Sequence, residues 1–140
     1  GQPWKTQARV RMIVDSMYHD QPEGYAGNED CGQMSAWAVW SILGLYPANA
    51  ASGEYVFGSP MLDEATIALP NGRQMTIKTS NNAKDHPYIQ SVLLNGKPYT
   101  KTYIDHSTLM KGGELDFEMS SVPNKKWGVK KENWPSSATN

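Results

Sequence analysis

The chain has 140 residues, a formal net charge of -1 and a pI near 6.3, which suits one domain with a real core and leaves no electrostatic footprint for nucleic acid or an anionic membrane surface. No run of about 20 apolar residues is present, so no membrane-spanning helix is expected. The single cysteine, Cys31, excludes an internal disulfide and cannot hold a metal by itself.

The first predicted element is an amphipathic helix over 6–18. Val10, Ile13, Val14 and Met17 form its apolar stripe, with Arg9, Arg11, Asp15 and Ser16 on the other side. Asp20-Gln21-Pro22-Glu23-Gly24 reads as the turn that ends it. A second helix is predicted over 31–43, stopping at Gly44, the residue type favoured just past a helix C-terminus. Its apolar positions (Met34, Ala36, Trp37, Ala38, Val39, Trp40, Ile42, Leu43) run almost all round, a pattern that asks for burial on most sides. Two helices cannot bury one another that fully, so partners outside the chain are expected. Trp37 and Trp40 are read as core residues rather than sugar-stacking platforms.

From about residue 54 the apolar period changes to two. Thr66-Ile67-Ala68-Leu69 and 74–79 flank Pro70-Asn71-Gly72-Arg73, a hairpin signal. A second such turn, Asn95-Gly96, follows a strand over 89–94. Leu115, Phe117 and Met119 alternate with Glu114, Asp116 and Glu118, as in a half-buried strand. The fold class expected is α+β: two helices, then an antiparallel sheet or sandwich. Three regions result: 1–50 with the helices, 51–122 rich in strands, and a polar tail over 123–140, loosely held at its end. Lys125, Lys126, Lys130 and Lys131 near Trp127 read as a solvated terminus rather than a nucleic-acid patch.

The most informative stretch is Gly24-Tyr25-Ala26-Gly27-Asn28-Glu29-Asp30-Cys31-Gly32-Gln33-Met34-Ser35-Ala36-Trp37. It runs a glycine-rich loop through an acidic pair into the second helix, where amide dipoles favour negative charge. Asp30 can be read locally as an N-cap with Gln33 as its reciprocal partner, or as a fixed general base. Cys31, with no histidine near it in sequence, reads as a small buried packing residue. His19, His86 and His106 are scattered, and Asp63, Glu64 and Asp85 lack calcium-loop spacing. Gly58-Ser59-Pro60 is not a nucleophile elbow, and Met110-Lys111-Gly112-Gly113 is a turn rather than a phosphate loop.

The run from Gly27 to Trp37, continued by Leu43-Gly44-Leu45-Tyr46-Pro47, resembles glycoside hydrolase family 92, the calcium-dependent inverting exo-α-mannosidases. The resemblance continues through Gly1-Gln2-Pro3-Trp4-Lys5-Thr6-Gln7, Ser52-Gly53-Glu54-Tyr55, Gly58-Ser59-Pro60, Leu93-Leu94-Asn95-Gly96-Lys97-Pro98 and Met110-Lys111-Gly112-Gly113. It implies that the chain is a C-terminal piece of a larger bacterial enzyme, its helices the last of an α/α barrel. It also implies a periplasmic or extracellular location, mannose-containing glycans as substrate, and a calcium ion bound mostly by residues outside these 140. It gives Asp30 the general-base role and leaves Asn28, where the family often has a second Asp, and Glu29 as water- or substrate-binding residues. With the catalytic acid expected upstream, the chain alone should be inactive and self-associate through its second helix. The competing expectation is a non-catalytic β-sandwich module that binds carbohydrate or a partner domain.

Overall fold

A computed structural model describes residues 1–137 as helices packed beside two β-sheets. Helix α1 (Pro3–Met17) starts with proline in its first turn, where the missing N–H has no partner to lose. Its buried residues are Gln7, Arg11 and Val14; of the expected apolar stripe only Val14 is fully covered, Val10 and Ile13 are half-buried, and Met17 is 49% exposed. Arg11 was expected on the solvent side; instead its guanidinium donates to Ser59 Oγ at 3.1 and 3.2 Å and to the Pro60 carbonyl at 2.8 Å. Burial lowers the Arg11 pKa from its ordinary value, against the opposing charge of Asp15. Gln7 turns the same way, and its Oε1 accepts from Ile89 N–H.

Helix α2 (Gln33–Leu43) starts two residues later than expected and ends at Gly44, in the left-handed region at φ 77°. A side chain there would also collide with Pro60, whose Cδ lies 2.7 Å from the Cβ site, so only glycine closes this helix against the next segment. Within α2 only Ser41 is buried, and Val39 is 57% exposed. The apolar girdle is therefore only partly covered in this chain.

Strand β1 (Leu45–Asn49), which lies within the first 50 residues, pairs with β2 (Glu54–Phe57). Strands β3 (Glu64–Ala68) and β4 (Gln74–Ser80) form the predicted hairpin around Asn71-Gly72. Strands β5 (Tyr88–Leu94) and β6 (Lys97–Pro98) form the second, with Asn95 and Gly96 at φ 52° and 74° as a primed turn requires. Strand β7 (Tyr103–Asp105) leads into the short α3 (His106–Leu109), and β8 (Gly113–Ser120) follows. One sheet has the order β1-β2-β7 and the other β3-β4-β8-β5-β6.

The second sheet is mixed. Strand β8 enters between two hairpins, antiparallel to β5 but parallel to β4. Its alternation is as expected: Leu115, Phe117 and Met119 are buried. One continuous core joins the sheets, and Phe57 of β2 meets Phe117 of β8 edge to face at 5.2 Å. The α+β architecture thus stands, with a parallel pair that local patterns do not announce.

The tail is more firmly held than its composition suggests. Trp127 packs against the core, Thr102 donates through its N–H and hydroxyl to the Asn133 carbonyl, both at 2.9 Å, and Ser136 donates twice to Glu54 Oε2. Lys125, Lys126, Lys130 and Lys131 remain exposed. Residues 138–140 of the predicted tail lie outside the described residues.

Candidate functional site

The acidic loop occupies the junction between the end of α1 and the start of α2. Tyr18 and Tyr25 form a β-bridge that closes the turn between them, helped by a 2.9 Å bond from His19 N–H to the Gly24 carbonyl. Tyr18 then reaches forward: its ring stacks on Trp37, and its hydroxyl donates to the Met34 carbonyl at 3.3 Å. The loop is thereby tied to both helices.

At the tip of this loop Asp30, Cys31 and Gly32 lie at φ 50°, 60° and 93°. Three successive left-handed residues make one reversed turn immediately before α2. Asparagine, aspartate and glycine tolerate that conformation better than other residues, and a cysteine in it marks local strain. The turn displaces Asp30 from the cap position. Gly32 is the N-cap, no side chain caps it, and the expected Asp30–Gln33 capping box does not form. Asp30 is exposed, and its carboxylate has no hydrogen-bond or ion-pair partner among the described residues.

Glu29 does what Asp30 was expected to do. Its Oε1 accepts from Ser35 N–H at 3.2 Å and its backbone carbonyl from Met34 N–H at 3.3 Å. Its second oxygen, Oε2, is buried without a hydrogen-bond partner. The hydroxyls of Tyr18 and Tyr25 feel this carboxylate: desolvation first, then the Glu29 charge, raise both phenols above their ordinary pKa, and hydrogen bonding toward Glu29 adds to the shift of Tyr25. Neither tyrosine was singled out from sequence, where only their placement around Pro22-Glu23-Gly24 hinted at a closed loop. Asn28 is exposed beside them. Cys31 is exposed and free, not buried, because the reversed turn faces it outward rather than into α2.

Trp37 and Trp40 are both half-buried; Trp40 packs against the hydrophobic core as expected, whereas Trp37 lies outside it. Trp37 stacks on Tyr18 and Trp40 on Tyr55, centroids 5.5 and 5.3 Å apart, so each ring has one face covered from within the chain. Ser59 is fully buried between Arg11 and the Pro87 carbonyl, which accounts for it as a structural residue. Calcium takes six to eight oxygen ligands. Among the described residues no group of three or more His, Cys, Asp or Glu side chains gathers to hold a metal. The residues present do not fit a calcium site by themselves, and no chemical step is derived through one. No helix among the described residues is long and apolar enough to cross a membrane.

The chain is similar over nearly its whole length to known glycosidases. An inverting mannosidase of family GH92 from Bacteroides thetaiotaomicron VPI-5482 shares 44% identity and superposes with a TM-score of 0.92, covering 98% of this chain and 19% of that one. A GH92 α-mannosidase from Bacteroides thetaiotaomicron, also solved in complex with mannoimidazole, shares 38% identity at a TM-score of 0.93, covering 97% of this chain and 18% of that one. A protein of Arthroderma benhamiae described as an uncharacterized secreted glycosidase is 29% identical over 140 residues, which are 98% of this chain and 18% of the relative. Thus the chain spans less than a fifth of the length of these relatives. Residues 1–121 match the glycosyl hydrolase family 92 catalytic domain. On that match and these superpositions, the chain belongs to glycosyl hydrolase family 92.

Proposed function

We propose that this chain supplies the general base, Asp30, to an inverting exo-α-mannosidase acting on terminal α-mannosides of glycans, as one portion of a longer polypeptide. The observation that carries this reading is the unpartnered, exposed Asp30 carboxylate on a turn whose backbone is fixed. A carboxylate used only as a helix cap would be bonded to α2, and that bond belongs to Glu29.

In inversion, a base deprotonates water on one face of the sugar while an acid protonates the leaving oxygen from the other, the two carboxyls standing about 6.5–9.5 Å apart. Asp30 accepts the proton from water. Asn28, two residues earlier, offers an amide that can hydrogen-bond the water or a sugar hydroxyl but cannot replace a base. The acid comes from another part of the polypeptide. Any calcium ligands would come mostly from outside these residues. A periplasmic or extracellular location accords with the relative described as secreted.

The half-covered Trp37 and Trp40 rings favour this reading over a carbohydrate-binding module, which would present two or three coplanar free rings. The test is Asp30→Asn in the full-length polypeptide. Asparagine accepts the left-handed conformation, so folding should persist. Turnover of an aryl α-mannoside should fall about 10²–10⁴-fold. Turnover within a few-fold of the unmutated enzyme would remove Asp30 from the base role.

A further inference from the structure

We infer that Glu29 is a positioning residue that holds Asp30 in place, rather than a group that touches substrate. The inference rests on Asp30 being the base. Among the described residues Asp30 has no side-chain partner, so its carboxylate can be only as well placed as the backbone beneath it. That backbone is a reversed turn containing two non-glycine residues, Asp30 and Cys31, at φ 50° and 60°. A turn of this kind persists only where its surroundings hold it.

Glu29 ties the turn to α2 through both its backbone and its side chain. The backbone carbonyl of Glu29 accepts from Met34 N–H at 3.3 Å, and its Oε1 accepts from Ser35 N–H at 3.2 Å. These are successive N–H groups in the first turn of α2, otherwise left without intrahelical partners. Both bonds tie residue 29 to the first turn of α2, and residues 30–33 form the loop that they close. The remaining contact across the turn, Gln33 N–H to the Asp30 carbonyl, is longer at 3.4 Å. The other side of the carboxylate is enclosed: Oε2 is buried, and the Tyr25 phenol is raised partly by the Glu29 charge. A carboxylate so engaged with the helix has one oxygen committed and the other shut away from solvent. Both features suit a brace.

The experiment is a set of variants in the full-length polypeptide, with kcat and KM on an aryl α-mannoside. Glu29→Ala should lower kcat about 10- to 100-fold through misplacement of the base, with KM changed only a few-fold. Glu29→Gln keeps an acceptor at the same reach and should stay within about five-fold of the parent. Glu29→Asp keeps the charge but falls short of Ser35, and should be as slow as Glu29→Ala. It also serves if the alanine variant folds poorly. Combined with Asp30→Asn, Glu29→Ala should cost nothing further, because a removed base cannot be misplaced. If Asp30→Asn abolishes turnover while Glu29→Ala does not lower kcat, or while the two losses multiply, the base stands and the brace is overturned. A Glu29→Gln variant as slow as Glu29→Ala also overturns it, since charge or direct contact would then matter. Full activity in Asp30→Asn removes the base and the brace with it.

Discussion

Tyr18 and Trp37 stack across the junction of α1 and α2, their centroids 5.5 Å apart and their planes 22° from parallel. One side chain at the end of α1 thus sets the orientation of the first turns of α2, and the acidic loop closes between them. Helix packing and the placement of the acidic loop meet in this pair.

Trp37→Ala should therefore destabilise the fold by about 2 kcal/mol, less than a fully buried tryptophan would cost, because part of the ring remains exposed. Tyr18→Phe should cost about 1 kcal/mol through loss of the bond to the Met34 carbonyl alone. Chemical-denaturation midpoints of both variants check this. An unchanged midpoint for Trp37→Ala would mean that the stack contributes nothing to stability.

Asp105 gives the fold a specific acid dependence. Bonds from Ser107 Oγ and from the N–H and hydroxyl of Thr108 lower its pKa from an ordinary 3.8 to about 2, with Lys101 assisting and burial opposing. A depressed carboxylate stabilises the fold above its unfolded value and loses that contribution as pH falls through the folded one. The loss should therefore run from about pH 4 to pH 2. It should amount to about 1 kcal/mol once solvent screening is allowed for. The stability difference between the parent and Asp105→Asn should shrink over that window. A difference that stays constant from pH 6 to pH 2 would assign the effect to packing instead.

The 140 residues alone should not hydrolyse α-mannosides. Inversion needs a second carboxyl across the scissile bond, and the proposed reading takes that acid from elsewhere in the polypeptide. The isolated chain should also self-associate, because Met12, Met17 and Val39 on its helices are 52%, 49% and 57% exposed. Its mass in solution and its turnover with calcium and an aryl α-mannoside test both points. Turnover lost on Asp30→Asn would show that the chain carries a complete site.

Much of the fold was written in short-range patterns. The hairpins at Asn71-Gly72 and Asn95-Gly96, the stop at Gly44 and the alternation along β8 each depend on a few adjacent residues whose backbone preferences act locally. The acidic loop stood out as a candidate site because its composition is unusual over eleven consecutive residues, 27–37.

What tertiary structure alone decided depends on distant partners. Arg11 is buried because Ser59 waits 48 positions away, and Gln7 because Ile89 N–H lies 82 away. A helix stripe read from hydropathy puts Arg11 on the polar side and singles out nothing at Gln7, since it cannot know that a buried polar group will find its complement. The parallel entry of β8 beside β4 arises in the same way, from a pairing between strands separated along the chain by three others. Asp30 is the instructive case. Its sequence neighbours are those of a helix cap, yet Glu29 takes the helix N–H and the reversed turn leaves the Asp30 carboxylate free. Residue types determined that an acid would stand at the mouth of α2. Which acid braces the helix and which faces solvent was settled by the backbone between them.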